Sequence, residues 1–155
     1  MKQEYISNSS KQTKKLGAIL GKNLRGRVLI CLSGDLGGGK TTFSQGVAVG
    51  LDVTENITSP TFVLLKKYKI PGADKARIKK LYHIDCYRLE KPEEILAIGW
   101  EEILADARGV ILVEWAERIA KYLPRERIDI KFEFVEKNKR KITISAFVAF
   151  SHLII

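Results

Sequence analysis

The sequence is poor in the features that would take it out of the ordinary globular class. It has only two cysteines, four prolines and one methionine in 155 residues, which excludes a disulfide scaffold, a collagen-like repeat and a proline-rich linker. No apolar run approaches the roughly 20 residues that a membrane helix needs. The opening MKQEYISNSSKQTKK also lacks the apolar centre of a secretory signal. A cytoplasmic protein with no membrane association is the expectation. Internal repeats, low-complexity tracts and linkers are absent too, so residues 1–155 are expected to form one domain, burying roughly 70% of the surface that the unfolded chain exposes. Acidic residues are the scarcer charge, 18 against 27 lysines and arginines, and the net charge of +9 attracts nucleotides, RNA or an acidic partner. Cys31 and Cys86 each sit in an apolar run, with no Cys or His at metal-clip spacing, and read as reduced, buried thiols.

What is present is an alternation of strand and helix patterns. Residues 1–8 suit a short strand, and Ser9 or Ser10 can cap a helix carrying Leu16, Ile19, Leu20 and Leu24 at helical spacing, which Gly17 and Gly21 weaken. Val28–Leu32 is a continuous apolar run of the kind that strands covered on both faces show. From Thr41 the period changes, with Phe43, Val47 and Leu51 on one face and Gly50 as the stop signal. Residues 62–70 and 78–87 predict a hairpin; Pro92 opens a helix that Gly99 divides before residues 100–106. Gly109–Trp115 predicts a second buried strand, followed by a short helix to about Tyr122. Residues 127–135 and 139–146 alternate around a Lys137-Asn138 turn. Together these predict a three-layer α/β fold with a mixed, largely parallel central sheet plus antiparallel hairpins. The apolar tail 147–155 is expected to pack on the domain or to meet a partner.

The strand at Val28–Leu32 runs into Gly34-Asp35-Leu36-Gly37-Gly38-Gly39-Lys40-Thr41, and Thr42 adds a second hydroxyl. This is a glycine, four variable residues, glycine, lysine and a hydroxyl residue, at the strand-to-helix junction where a phosphate-binding loop belongs. Such a loop wraps a polyphosphate in backbone N–H groups, so side chains would obstruct it, and the following helix N-terminus adds partial positive charge. Asp35 to Thr42 are the candidate nucleotide contacts: Lys40 toward the β- and γ-phosphates, Thr41 toward Mg²⁺, Thr42 toward the α-phosphate.

The loop also needs carboxylates at neighbouring strand ends, to hold the metal's shell and orient an attacking water. Glu114, ending the run Val110–Val113, is the metal-side candidate together with Thr41; Asp85, beside Tyr87 and Arg88, is the candidate for positioning water or metal, or else a salt-bridge partner of Arg88. His83 and Asp85 share a strand face but have no evident third ligand. Ser59-Pro60-Thr61 occupies a place where a γ-phosphate-responsive segment or an ordinary turn would fit. There is no Asn-Lys-x-Asp element for guanine, and Asp106-Ala107-Arg108-Gly109 precedes its strand instead of following one. ATP is thus favoured over GTP. No arginine near the loop in sequence reads as an in-cis finger.

Four segments in order, Ser33–Thr42 (SGDLGGGKTT), Ser59–Phe62 (SPTF), His83–Leu89 (HIDCYRL) and Val113–Glu117 (VEWAE), give the chain a likeness to one family. It resembles TsaE, formerly YjeE, the small ATPases of bacterial tRNA threonylcarbamoyladenosine biosynthesis. The resemblance covers roughly residues 13–146. It implies a Mg²⁺-dependent P-loop ATPase that supports or resets the TsaB–TsaD complex, which modifies the adenosine next to the anticodon in tRNAs reading codons that begin with A, with tRNA met through that complex. Carried onto this chain, the family pattern gives Lys40 and Thr41 to phosphate and Mg²⁺, Glu114 to the metal, Asp85 to hydrolysis and Arg140 to the adenine side. Cys86 and Ala116 stand where leucine and proline are commoner in the family, and residues 147–155 extend past its usual end.

Two other classes are open at this level. A small-molecule kinase uses the same loop but adds an arginine-bearing lid. A nucleotide-switched RNA-binding module would use the lysine- and arginine-rich runs 66–69, 75–80 and 137–141, in which the aromatic residues that stack bases are few.

Overall fold

The structure, a computed structural model, describes residues 1–58, 64–71 and 78–147. Its elements are β1 (Lys2–Ser7), α1 (Ser10–Asn23), β2 (Val28–Gly34), α2 (Lys40–Gly50), β3 (Leu65–Lys69), β4 (Lys80–Asp85), a 3-10 segment (Pro92–Ile98), α3 (Trp100–Ala105), β5 (Gly109–Glu114), a second 3-10 segment (Ala116–Tyr122), β6 (Ile128–Glu136) and β7 (Lys139–Ala146). Seven strands form one sheet in the order β1-β7-β6-β2-β5-β4-β3. The centre is parallel, β6 and β5 flanking β2 and β4 following β5. The outer pairs are antiparallel. Both expected hairpins are present, β3–β4 and β6–β7, with Asn138 in the left-handed region at the tip of the second (φ 63°).

The continuous apolar runs are explained by helices on both faces. Val28, Ile30 and Leu32 of β2 point into a core shared with Leu20, Leu24, Phe43 and Val47 from α1 and α2. The alternate residues Leu29 and Cys31 point the other way, to Trp100, Ile103 and Ile119. Cys86 joins that second core, and both thiols are free and buried as expected. Truncating a buried aliphatic such as Ile30 to alanine would cost about 2–5 kcal/mol.

Helix α1 starts where expected. Ser9 Oγ accepts a hydrogen bond from the Gln12 N–H (3.1 Å), and Gln12 Oε1 accepts one from the Asn8 N–H (2.7 Å), a reciprocal cap. The glycines that weakened the helical reading have a packing role. A Cβ on Gly17 would lie 2.3 Å from the Phe43 carbonyl oxygen of α2, and one on Gly46 would lie 2.1 Å from that of Lys14 in α1. Gly50 belongs to the same set, at 2.2 Å from the Ala18 oxygen; α2 ends at it as expected, but without a left-handed glycine. The left-handed residue after α2 is Asp52 (φ 63°), and the helix closes through Leu51 N–H to the Val47 carbonyl. Gly99 (φ 81°) does divide Pro92–Ile98 from α3.

The Asp-x-x-Gly likeness at residues 106–109 resolves as a turn. Asp106 Oδ1 accepts from the Arg108 N–H, and its Oδ2 accepts from the Tyr82 hydroxyl at 2.5 Å. That contact holds the Asp106 carboxyl below its usual range, while burial first and Asp106 second push the Tyr82 phenol up to about 12. No helix among the described residues is long and apolar enough to cross a membrane. The Ser-Pro-Thr segment, Lys75, Arg77 and the tail beyond Phe147 lie outside the described residues.

Candidate functional site

Strands β2, β4 and β5 end together on one edge, the usual position of a ligand crevice in an α/β sheet, and a cavity of about 480 Å³ opens there. Its floor is the glycine loop between β2 and α2. That loop is moulded against β6: the Asp35 N–H donates to the Phe132 carbonyl (3.0 Å), and Asp35 Oδ2 accepts from the Phe134 N–H (2.9 Å). Gly39 enters α2 at φ 101°, a left-handed conformation where a side chain would be strained. Of the sequence-predicted contacts, Leu36 to Thr42 line the cavity, whereas Asp35 does not and instead ties the loop to β6.

Lys40 is 5% exposed. Its Nζ donates to the carbonyls of Gly34 (2.8 Å) and Asp35 (2.6 Å) and lies 4.0 Å from the Trp115 ring centroid. Burial pushes the Lys40 ammonium pKa down, against the pull of Glu117, Glu114, Asp35 and Asp85. Trp115 itself has φ 58°, a conformation uncommon for a bulky residue. It packs on Tyr87 at 4.9 Å, and the Arg118 guanidinium sits 5.6 Å from the Tyr87 ring and 5.9 Å from the Trp115 ring. Sequence reasoning passes over Trp115 as a wall of the site; the aromatic directly after a strand-end acid is the available signal.

The two carboxylates come together as expected. Asp85 and Glu114 are register partners across β4 and β5, strands that run about 4.8 Å apart. Both line the cavity. Glu114 is 2% exposed; its Oε1 accepts from the Thr41 hydroxyl and its Oε2 meets His83 Nε2, each at 2.7 Å. Asp85 is half-buried, with Oδ1 accepting from the Tyr87 N–H at 2.9 Å. His83 therefore pairs with Glu114, and no group of three or more His, Cys, Asp or Glu placed to hold a metal occurs among the described residues.

The remaining wall comes from elements remote in sequence. Ser9, Ser10 and Thr13 of the α1 start face the cavity, as do Arg88 and, from the β6–β7 hairpin, Asn138 and Arg140. Arg140 Nε donates to the Gly37 carbonyl (3.0 Å), and its guanidinium lies 4.7 Å from the Phe134 ring centroid. Two arginines thus stand on the cavity wall, although the sequence offers none next to the loop.

Comparison with known proteins gives a consistent result. A family model described as "Threonylcarbamoyl adenosine biosynthesis protein TsaE" matches residues 7–142. The "tRNA threonylcarbamoyladenosine biosynthesis protein TsaE" of Treponema pallidum (strain Nichols) is 37% identical over 140 residues, which span 90% of this chain and 98% of that one. The protein of the same description from Bacillus subtilis (strain 168) is 37% identical over 147 residues, 94% of this chain and 87% of its own. A crystal structure of B. subtilis YdiB superposes with a TM-score of 0.76 at 30% identity, covering 99% of this chain and 91% of that one. The three-layer arrangement is the P-loop NTPase-like fold expected.

Proposed function

This chain belongs to the TsaE family of tRNA threonylcarbamoyladenosine biosynthesis, and from that premise we propose that it is a Mg²⁺-dependent ATP hydrolase acting with TsaB and TsaD in the cytoplasm, its residues 1–155 working as one domain and meeting tRNA through that complex. The observation that carries the reading is the convergence, in one cavity, of a phosphate-type loop with its lysine and hydroxyl and two acids from adjacent strand ends. A volume of about 480 Å³ is within the range of small-molecule sites.

In this reading the loop's N–H groups and the start of α2 receive the phosphates. Lys40 exchanges its hydrogen bonds to the Gly34 and Asp35 carbonyls for phosphate oxygens, an inexpensive exchange because its side chain already lies in the cavity wall. Thr42 contributes its hydroxyl to the α-phosphate, and Arg140, at the rim, meets the adenine side. The residues suit a magnesium ion: Glu114 is a buried acid whose oxygens meet a hydroxyl and an imidazole, and oxygen donors of this kind are what the ion prefers. Thr41 and Glu114 would hold it, and when bound it supplies charge neutralisation at the phosphoryl oxygens. Asp85, half-buried in the cavity lining, orients the attacking water.

The test separates binding from turnover. Lys40→Ala is expected to weaken ATP binding at least 100-fold, or about 2.7 kcal/mol, by calorimetry. Asp85→Ala is expected to bind ATP normally and to lose phosphate release, by about 100-fold on the scale typical of general-base loss. Equal loss of affinity in both would refute this division. Reconstituted tRNA modification with TsaB and TsaD, with and without this chain, tests the partnership.

A further inference from the structure

We propose that His83 is a positioning residue for Glu114, fixing which carboxylate oxygen is offered to the nucleotide-bound cation; this inference rests on the reading above. His83 lies on β4, fully buried, two residues before Asp85 and outside the cavity lining. It reaches the site through one contact, Nε2 to Glu114 Oε2 at 2.7 Å. Glu114 Oε1 is taken by the Thr41 hydroxyl at 2.7 Å. Against an ionised carboxylate, which only accepts hydrogen bonds, the ring contributes Nε2 as the donor of that pair.

The other nitrogen, Nδ1, is buried without a hydrogen-bond partner among the described residues. A buried polar atom left unpaired is unfavourable, and an apolar side chain like its neighbour Leu81 would fill a strand position without that cost. The imidazole is explained by what Nε2 does. With Oε2 held by His83 and Oε1 meeting Thr41, Glu114 can rotate neither oxygen freely, and Oε1 is the oxygen left on the side of the loop's hydroxyl. Magnesium demands near-ideal octahedral geometry, and a carboxylate oriented in advance by an outer hydrogen bond meets that demand; removing such a bond typically lowers metal affinity about 10–100-fold.

The experiment measures ATP affinity of the whole chain with and without Mg²⁺, by calorimetry, for wild type, His83→Ala, His83→Gln and His83→Asn, with thermal unfolding of each. A glutamine amide N–H can approach the Nε2 position and an asparagine cannot. His83→Ala is expected to keep Mg²⁺-free affinity within about threefold while losing about 10–100-fold of the Mg²⁺-dependent gain, and His83→Gln is expected to restore most of that gain where His83→Asn does not. Imidazole nitrogen NMR of the metal-free chain should show His83 protonated at Nε2 and bare at Nδ1. Equal losses with and without Mg²⁺, or rescue by asparagine as good as by glutamine, would overturn the proposal. If the alanine variant does not fold, the glutamine variant decides alone: retained gain supports the role, and lost gain rejects it. A wild-type chain whose ATP affinity ignores Mg²⁺ would defeat the reading of the site, and the inference with it.

Discussion

Two regions of this protein depend on glycine for opposite reasons. In the loop at residues 34–39, Gly34, Gly37 and Gly39 adopt φ values of 112°, 71° and 101°, so the requirement is conformational, with space added at Gly34, where a Cβ would lie 2.0 Å from the Phe132 carbonyl oxygen. Between α1 and α2, Gly17, Gly21, Gly46 and Gly50 have ordinary helical backbone, and the requirement is space, because each would drive a Cβ to within 2.1–2.3 Å of a carbonyl oxygen on the facing helix. Gly37 is the clean case of the first kind, since a methyl group there would meet nothing within 4 Å, and Gly46 is the clean case of the second. The same letter in a sequence thus reports either a turn or a close approach, and only the partner element distinguishes them.

Substitutions should separate the two. Gly46→Ala has the larger expected effect: the helices must move apart, at a cost of about 3 kcal/mol, read as a drop of roughly 6–12 °C in Tm by circular dichroism. Its folded fraction should still bind ATP. Gly37→Ala should cost about 1 kcal/mol, the penalty for a left-handed side chain, and yet should weaken ATP binding more than Gly46→Ala does, by calorimetry. The reverse ranking in affinity would erase the distinction. A site governed by neither effect calibrates the scale: Tyr82→Phe, on β4 away from the cavity, removes one hydrogen bond, costs about 1 kcal/mol and leaves ATP affinity unchanged. It also carries a pH signature. Because Tyr82 holds the Asp106 carboxyl low, that contribution is complete above the ordinary carboxylate range and fades as pH falls through the depressed value; the Tyr82 phenol, raised to about 12, contributes fully below its unfolded value near 10 and loses that contribution as pH rises toward 12. The variant should flatten stability at both limits, as denaturant titrations across pH would show.

The core strands are legible in the sequence because β2 and β5, covered on both faces, leave unbroken apolar runs, and the loop is legible because its chemistry is local. Glu114 and Asp85 stand out through their position at strand ends. What escapes depends on contacts distant in sequence. Nothing near Thr13 signals that the start of α1 lines the cavity, nor does the loop's own sequence show that Asp35 bonds to β6. Gly50 is read only in part, as the helix end it is and not as the helix contact it also is, because the two look alike without the partner helix. Arg88 and Arg140 reach the cavity wall only once the sheet order β6-β2-β5-β4 is known.

The backbone contact between α1 and α2 has a mechanical consequence. With carbonyls of one helix seated where the other has no side chains, neither can slide or roll without collision, so Ser9, Ser10 and Thr13 at the start of α1 are held in fixed relation to the glycine loop that precedes α2. That side of the crevice is thus set by helix packing, whereas Asp85 and Glu114 are set by the sheet, through the register of β4 with β5 and of β5 with β2.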